Sequence, residues 1–207
     1  DFADVRGQQI IKRALEIATT LALGACAPLL VTAAVVGGSM VVTDRRTSGV
    51  QVEDQTIEMK ALTRVREAIG DRGHVNVVSY NRQVLITGEV PSDADKAAVA
   101  QAISRVENVQ SIVDELAVGP ASSFGARSND TIVTSKVKAS LVDAKDVISN
   151  AYKVVTERGT VYLMGRVTER EANRAAEIAR SVAGVQKVVK VFEIISEAEL
   201  ANLQTRR

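Results

Sequence analysis

The 207-residue chain holds one cysteine, Cys26, and one histidine, His74. A nucleophilic thiol needs a base beside it, and a zinc or iron–sulfur site built from thiolates needs several of them. One thiol also closes no internal disulfide. His74 follows Gly73 where a helix gives way to a strand. No serine, cysteine or carboxylate pattern marks it as a general base, and no second histidine is there to share a metal, so it reads as a turn or surface residue. The stretches "TGEVPSD" and "MGRVTERE" carry glycines without the spacing of a phosphate-cradling loop. The remaining carboxylates scatter over helical faces as solvating or capping groups. Tyr80, Tyr152 and Tyr162 lie in or beside strands and read as packing or sheet-surface residues. These residues predict a protein that is not an enzyme, with no cofactor and no metal.

The position of Cys26 suits a different chemistry. Lys12 and Arg13 precede "ALEIATTLALGA", a mostly apolar run interrupted by Glu16, which closes on small residues just before the thiol. That order is the charged, apolar and small-residue sequence of a secretory signal. Leu23-Gly24-Ala25-Cys26 resembles the bacterial lipobox, in which cleavage before the cysteine leaves it to carry acyl chains. Residues 1–25 are then a signal peptide and Cys26 an attachment point. Two other readings stay open: a membrane span over residues 14–42, and a buried thiol. Pro28 and the pair Gly37-Gly38 disfavour an isolated helix there, and residues 26–50 read as a lipidated, Gly/Ala/Val-rich flexible tether. Ala27, a non-acidic residue after the cysteine, resembles the pattern of outer-membrane sorting.

Charged residues make up 25% and hydrophobic ones 46%, the balance of a globular chain. Aromatics amount to 3% with no Trp, so cores must be built from Val, Ile, Leu and Ala, and stacking platforms for bases are scarce. A net charge of +1 gives no chain-wide grip on nucleic acid, and none is expected as a partner.

Beyond the polar bridge "TDRRTSGVQVED" the chain repeats itself. With Asp54 set against Asp130, Ile57, Ala61 and Val65 fall opposite Val133, Val137 and Leu141, spaced by four as one helical face requires. "YNRQVLITGEV" matches "ERGTVYLMGRV", each a pair of alternating stretches about a turn at Asn81-Arg82 or Arg158-Gly159-Thr160. Gly88 and Gly165 are expected to end the second strand of each copy. "VENVQSIVDEL" matches "VAGVQKVVKVF", with a one-residue shift of register near Pro91. Each copy reads helix, strand, strand, helix, strand. Thr168 with Glu171 predicts a capping box, and Ser92 with Asp95 a similar arrangement. The alternation predicts a sheet with two helices on one face and a more polar opposite face. The fold class is α+β, with two tandem αββαβ units, each a small three-stranded mixed sheet on two helices. Copies of this size have marginal cores, so contact between the two is expected as a source of stability. The units span residues 51–119 and 130–195, joined by a linker over 120–129, with a C-terminal tail over 196–207 that forms a short helix.

The Asp-led helix, the strand pair with Gly88 or Gly165, and the closing valine run resemble the BON domain of bacterial envelope proteins. The most specific stretches are "SNDTIVTSKVK" and "VYLMGRVTEREA". Two such units behind a lipobox and tether resemble dual-BON outer-membrane lipoproteins. The resemblance implies the αββαβ fold, a lipid-anchored place on the periplasmic face of the outer membrane, and a role in envelope integrity and at division sites. It also implies contact with anionic phospholipid through the first helix of the second unit. Members known for that contact carry an aromatic where this chain has Ile132.

The residues add their own contrast. Residues 54–118 hold seven Lys and Arg against ten Asp and Glu, a net charge of −3, whereas residues 130–194 hold eleven against eight, a net charge of +3. Anionic headgroups attract basic surface, so the second copy is the one drawn to such a membrane; the opposite signs could equally draw the copies together. On the second copy's first helix, Ile132 lies roughly 140° from the core face, with Lys136 and Lys138 roughly 100° away on either side. Ile132, Lys136, Lys138 and Ala139 are therefore the candidate lipid-binding residues, and an anionic phospholipid membrane the expected partner. The alternative is a periplasmic adaptor that binds an outer-membrane assembly or division-site protein.

Overall fold

The computed structural model describes residues 44–205. The elements run α1 (Ser48–Ile69), β1 (His74–Tyr80), β2 (Gln83–Val90), α2 (Asp93–Ser104), β3 (Ser111–Val118), α3 (Phe124–Asp143), β4 (Lys153–Glu157), β5 (Thr160–Val167), α4 (Glu169–Arg180), β6 (Lys187–Ile194) and α5 (Glu197–Thr205). Each repeat is an αββαβ unit. In each sheet the central strand pairs antiparallel with the strand before it and parallel with the strand after the second helix.

The period-four residues form the cores. Ile57, Ala61, Val65 and Ile69 of α1 meet Val84, Ile86, Val99 and Ile103 in the first unit, and Val133, Val137 and Leu141 of α3 meet Val161, Leu163, Ala175 and Ala179 in the second. Local chemistry fixes the helix starts. Ser92 accepts the Asp95 N–H, and Thr168 and Glu171 form a reciprocal capping box on α4.

The hairpin turns explain why both copies begin on Asp. Asn81-Arg82 and Arg158-Gly159 all have positive φ, the geometry of tight two-residue hairpins. Such turns point backbone N–H groups inward, and a buried carboxylate takes them. Asp54 accepts from the N–H groups of Asn81 and Arg82, both at 2.8 Å, and from the Ser79 hydroxyl at 2.7 Å. Asp130 accepts from the N–H groups of Arg158 and Gly159 at 2.8 and 2.9 Å. Burial alone pushes the Asp54 pKa up, but these hydrogen bonds and one from Arg46 outweigh it and hold the carboxylate below its ordinary range.

Four expectations need correcting. Gly88 and Gly165 do not end their strands; each lies two residues before the end. Their role is close approach: a Cβ on Gly88, whose φ is 115°, would stand 2.0 Å from the His74 carbonyl oxygen, and one on Gly165 would stand 2.4 Å from that of Ala151. Gly88→Ala is therefore expected to destabilise the fold by about 3 kcal/mol, combining backbone strain with a clash against main chain. An unchanged urea midpoint for that variant would refute the account.

Second, the sheet faces turned away from the helices are not polar. Val78, Tyr80 and Leu85 of the first sheet pack against Val155, Tyr162, Met164 and Val191 of the second, forming a third core between the units. Both sheets are thus buried on two faces. Third, the carboxylates are not all solvating or capping groups, since Asp54, Glu89, Asp130 and Glu157 are buried away from any helix cap. Fourth, the stretch read as a linker turns helical at Phe124, where Ser123 caps α3 by accepting the Ala126 N–H.

The polar bridge ahead of α1 also reaches across. Arg45 is buried and grips the Glu171 carboxylate with two hydrogen bonds of 2.7 and 2.8 Å, while donating to the Arg166 carbonyl at 2.7 Å. Arg46 pairs with Asp54 at 2.7 Å and lies over the Tyr80 ring at 4.1 Å. Lys153 of the second unit donates to Glu58 and to the Ser79 carbonyl of the first.

Candidate functional site

α3 spends one face on the core and leaves the other to solvent. Val133, Val137 and Leu141 are buried, whereas Ile132 is 53% exposed and Lys136, Lys138 and Ala139 are exposed. The helical spacing thus brings the four candidate residues to one outward surface, with the two lysines flanking Ile132 and Ala139. Among the described residues neither lysine forms an ion pair or side-chain hydrogen bond.

Sequence reasoning missed two members of this surface. Phe124, 81% exposed, opens α3, and Val142, 66% exposed, lies near its end. Eighteen residues apart, they mark out a helix face about 27 Å long. Their signal was present: Ser123 ahead of a residue run without Pro is an N-cap, and extending the helix to it brings Phe124 onto the same side as Val142.

The equivalent face of α1 is built differently. Thr56 stands where α3 has Ile132, and its hydroxyl donates back to the Val52 carbonyl. Val52 and Met59 are exposed there; Lys60 pairs with Glu107, Glu58 with Lys153, and Glu53 accepts from Asn108, while among the described residues Arg64 and Arg66 form no ion pair.

His74 and the three tyrosines lie in or beside strands, as read from the sequence. His74 opens β1, its Nδ1 lying 3.4 Å from Arg127 Nη1 on the surface. Tyr80 and Tyr162 are buried between the sheets, which pushes both phenols up to about 12, and the Tyr152 hydroxyl donates to the Glu171 carbonyl. No cluster of three metal-ligating side chains occurs among the described residues, and none of their helices is long and apolar enough to cross a membrane. Cys26, the signal peptide and residues 26–43 of the tether lie outside the described residues; the tether's last stretch, 44–50, is instead part of the fold, since Arg45 is buried against Glu171 and α1 starts at Ser48.

The BON domain family model matches the chain twice, over residues 53–120 and 129–196, so it spans both αββαβ units. The chain belongs to the BON domain family. This BON protein is 38% identical over 190 residues to the outer membrane lipoprotein DolP of Haemophilus influenzae, covering 89% of this chain and 96% of that one. It is 32% identical over 154 residues to a 21 kDa hemolysin of Actinobacillus pleuropneumoniae, covering 73% and 79%. Osmotically-inducible protein Y of Escherichia coli is 33% identical over 117 residues, covering 55% and 58%. The near full-length likeness to an outer membrane lipoprotein agrees with the lipid-anchored, outer-membrane location read from the sequence. The relatives bear the names of a lipoprotein, a hemolysin and an osmotically induced protein, and none of those names denotes a metabolic enzyme.

Proposed function

We propose that this BON protein binds anionic phospholipid through the outward face of α3 while acylated Cys26 holds it at the periplasmic face of the outer membrane. The observation that carries the reading is the pair of unengaged lysines beside an exposed apolar stripe, on the copy whose residues 130–194 carry a net charge of +3 where residues 54–118 of the first carry −3. An amphipathic helix of this kind lies in the headgroup plane with its apolar side sunk shallowly and its lysine stems reaching outward. Two lysines near an anionic surface contribute about 2 kcal/mol, enough to bias where an anchored protein sits. Anchoring makes such a weak contact sufficient, because it raises the local concentration of α3 at the bilayer. On this reading the protein serves envelope integrity, and any placement at division sites follows the lipid.

Vesicle co-sedimentation of the unacylated chain is the test. Binding to phosphatidylglycerol-containing vesicles should exceed binding to phosphatidylcholine vesicles by about thirtyfold, the factor those lysines supply. Ile132→Asp and the double variant Lys136→Gln, Lys138→Gln should each lose most of that excess. Equal binding to both vesicle types, or full binding by Ile132→Asp, overturns the reading.

A further inference from the structure

A different feature lies where the two units meet. Residues from β2 (Glu89), the connecting segment (Ser122), the start of α3 (Ala126, Asn129) and the β4–β5 turn (Arg158) line an open recess of about 510 Å³. Glu89 is 1% exposed. Its Oε2 accepts the Ser122 N–H at 3.1 Å, but its Oε1 has no hydrogen-bond partner, and neither has the buried Ser122 Oγ. Two orphan polar atoms in one recess are a costly arrangement, because a buried carboxylate oxygen without a donor forfeits its hydration.

We infer that this recess is a binding site for a phospho-amine zwitterion, with the ammonium on Glu89 and Ser122 and the phosphate on Arg158. The chemistry of the lining selects the ligand. A carboxylate accepts and cannot donate, whereas an ammonium brings three donors, enough for Glu89 Oε1 and Ser122 Oγ together. Arg158 does not fill that role: its Nε stands 3.8 Å from Glu89 Oε1, beyond hydrogen-bond range, and its side chain is more than half exposed. A divalent metal fits poorly, because Asp130, the other carboxylate of the lining, already spends both oxygens on the Arg158 and Gly159 N–H groups.

The ligand also needs a negative group. The Arg158 guanidinium, more than half exposed and held to Glu89 only by a 3.8 Å ion pair, can turn to an oxyanion, and the first turn of α3, at Ala126, adds the positive end of a 20-residue helix. The shared chemistry is phosphoethanolamine, supplied either as a lipid headgroup or as a free molecule. The site is separate from the outward face of α3 and does not depend on that face binding lipid.

Amide chemical shifts of the full acylated chain in detergent micelles test the inference during titration with O-phosphoethanolamine. Saturable shifts are expected at Ser122, Arg158 and Gly159. Glu89→Gln, which keeps an acceptor for the Ser122 N–H, should weaken the response at least tenfold, as should Arg158→Gln. Ile132→Asp should leave it unchanged. Phosphocholine, whose nitrogen has no N–H, should bind at least tenfold more weakly. Absence of saturable shifts, an unaffected Glu89→Gln variant, or equal binding of phosphocholine overturns the site, and alanine binding as well as phosphoethanolamine overturns its phosphate half. Repeating the titration with phosphatidylethanolamine nanodiscs separates the sources: shifts at the same amides assign the lipid headgroup, and a response to the soluble ligand alone assigns a free one.

Discussion

Raising the pH from about 5 to about 8 should cost this protein roughly 3 kcal/mol of stability through one residue, and Glu157→Gln should remove that loss. Glu157 ends β4 between the two units and is buried. Burial, followed by the carboxylates of Glu89 on β2 and Asp130 on α3, pushes it up to about 7, with Arg127 and Arg158 pulling weakly the other way. A carboxyl whose pKa is raised on folding holds its proton in the folded state after the unfolded chain has released it. The stabilisation is complete below the ordinary carboxylate range and drains away as the pH climbs to about 7. Urea melts across that window should show the variant and the parent converging at low pH and separating by about 3 kcal/mol at pH 8. A constant gap at every pH would show that Glu157 does not titrate in this way. Glu171 and Asp54 supply the opposite slope: their pKa values are lowered, so what they contribute is lost as the pH falls through the folded values.

Arg45→Met is the second large effect, an expected loss of about 3 kcal/mol or more. Arg45 and Glu171 are 126 residues apart in sequence and both buried, joined by two short hydrogen bonds. Burial drives the Glu171 pKa up, and the contacts with Arg45 and Thr168 reverse that and hold it low. Without the guanidinium, a charged carboxylate is left in a dry site, and the Arg166 carbonyl loses its donor. Adding Glu171→Gln to Arg45→Met should recover part of the loss, since the uncompensated charge disappears while Gln can still serve the capping box. A shift of the urea midpoint worth less than about 0.5 kcal/mol in Arg45→Met would place this pair among the inert surface bridges.

Local order was legible in the sequence because local rules set it. The fourfold spacing of Ile57, Ala61 and Val65 and its echo in Val133, Val137 and Leu141 required two helices with one buried face. The capping pair Thr168 and Glu171 marked where α4 begins, and helical angles alone placed Ile132 outward between the lysines. The face-to-face packing of the sheets was harder to see, although a trace exists. Leu85 and Met164 fall on the side opposite Ile86 and Leu163, so "VLI" and "VYLM" are continuous apolar runs, the mark of strands covered on both sides. Reading only their alternation left the outer faces polar. Arg45 with Glu171, and Glu89 beside Glu157, could not be foreseen, because nothing in the spacing of residues so far apart says that they meet. Phe124 was lost to a boundary error, since Gly and Ser around it read as a linker while the Ser123 cap had already started the helix.

The core between the sheets bears on how such a chain could have arisen. One αββαβ unit cut loose would present Val78, Tyr80 and Leu85, or Tyr162, Met164 and Val191, as a greasy sheet open to water, and it would satisfy that face against another copy of itself. A tandem gene therefore replaces a homodimer with a single polypeptide. Once the halves were fused, each was free to diverge in sequence and charge while the shared core was kept.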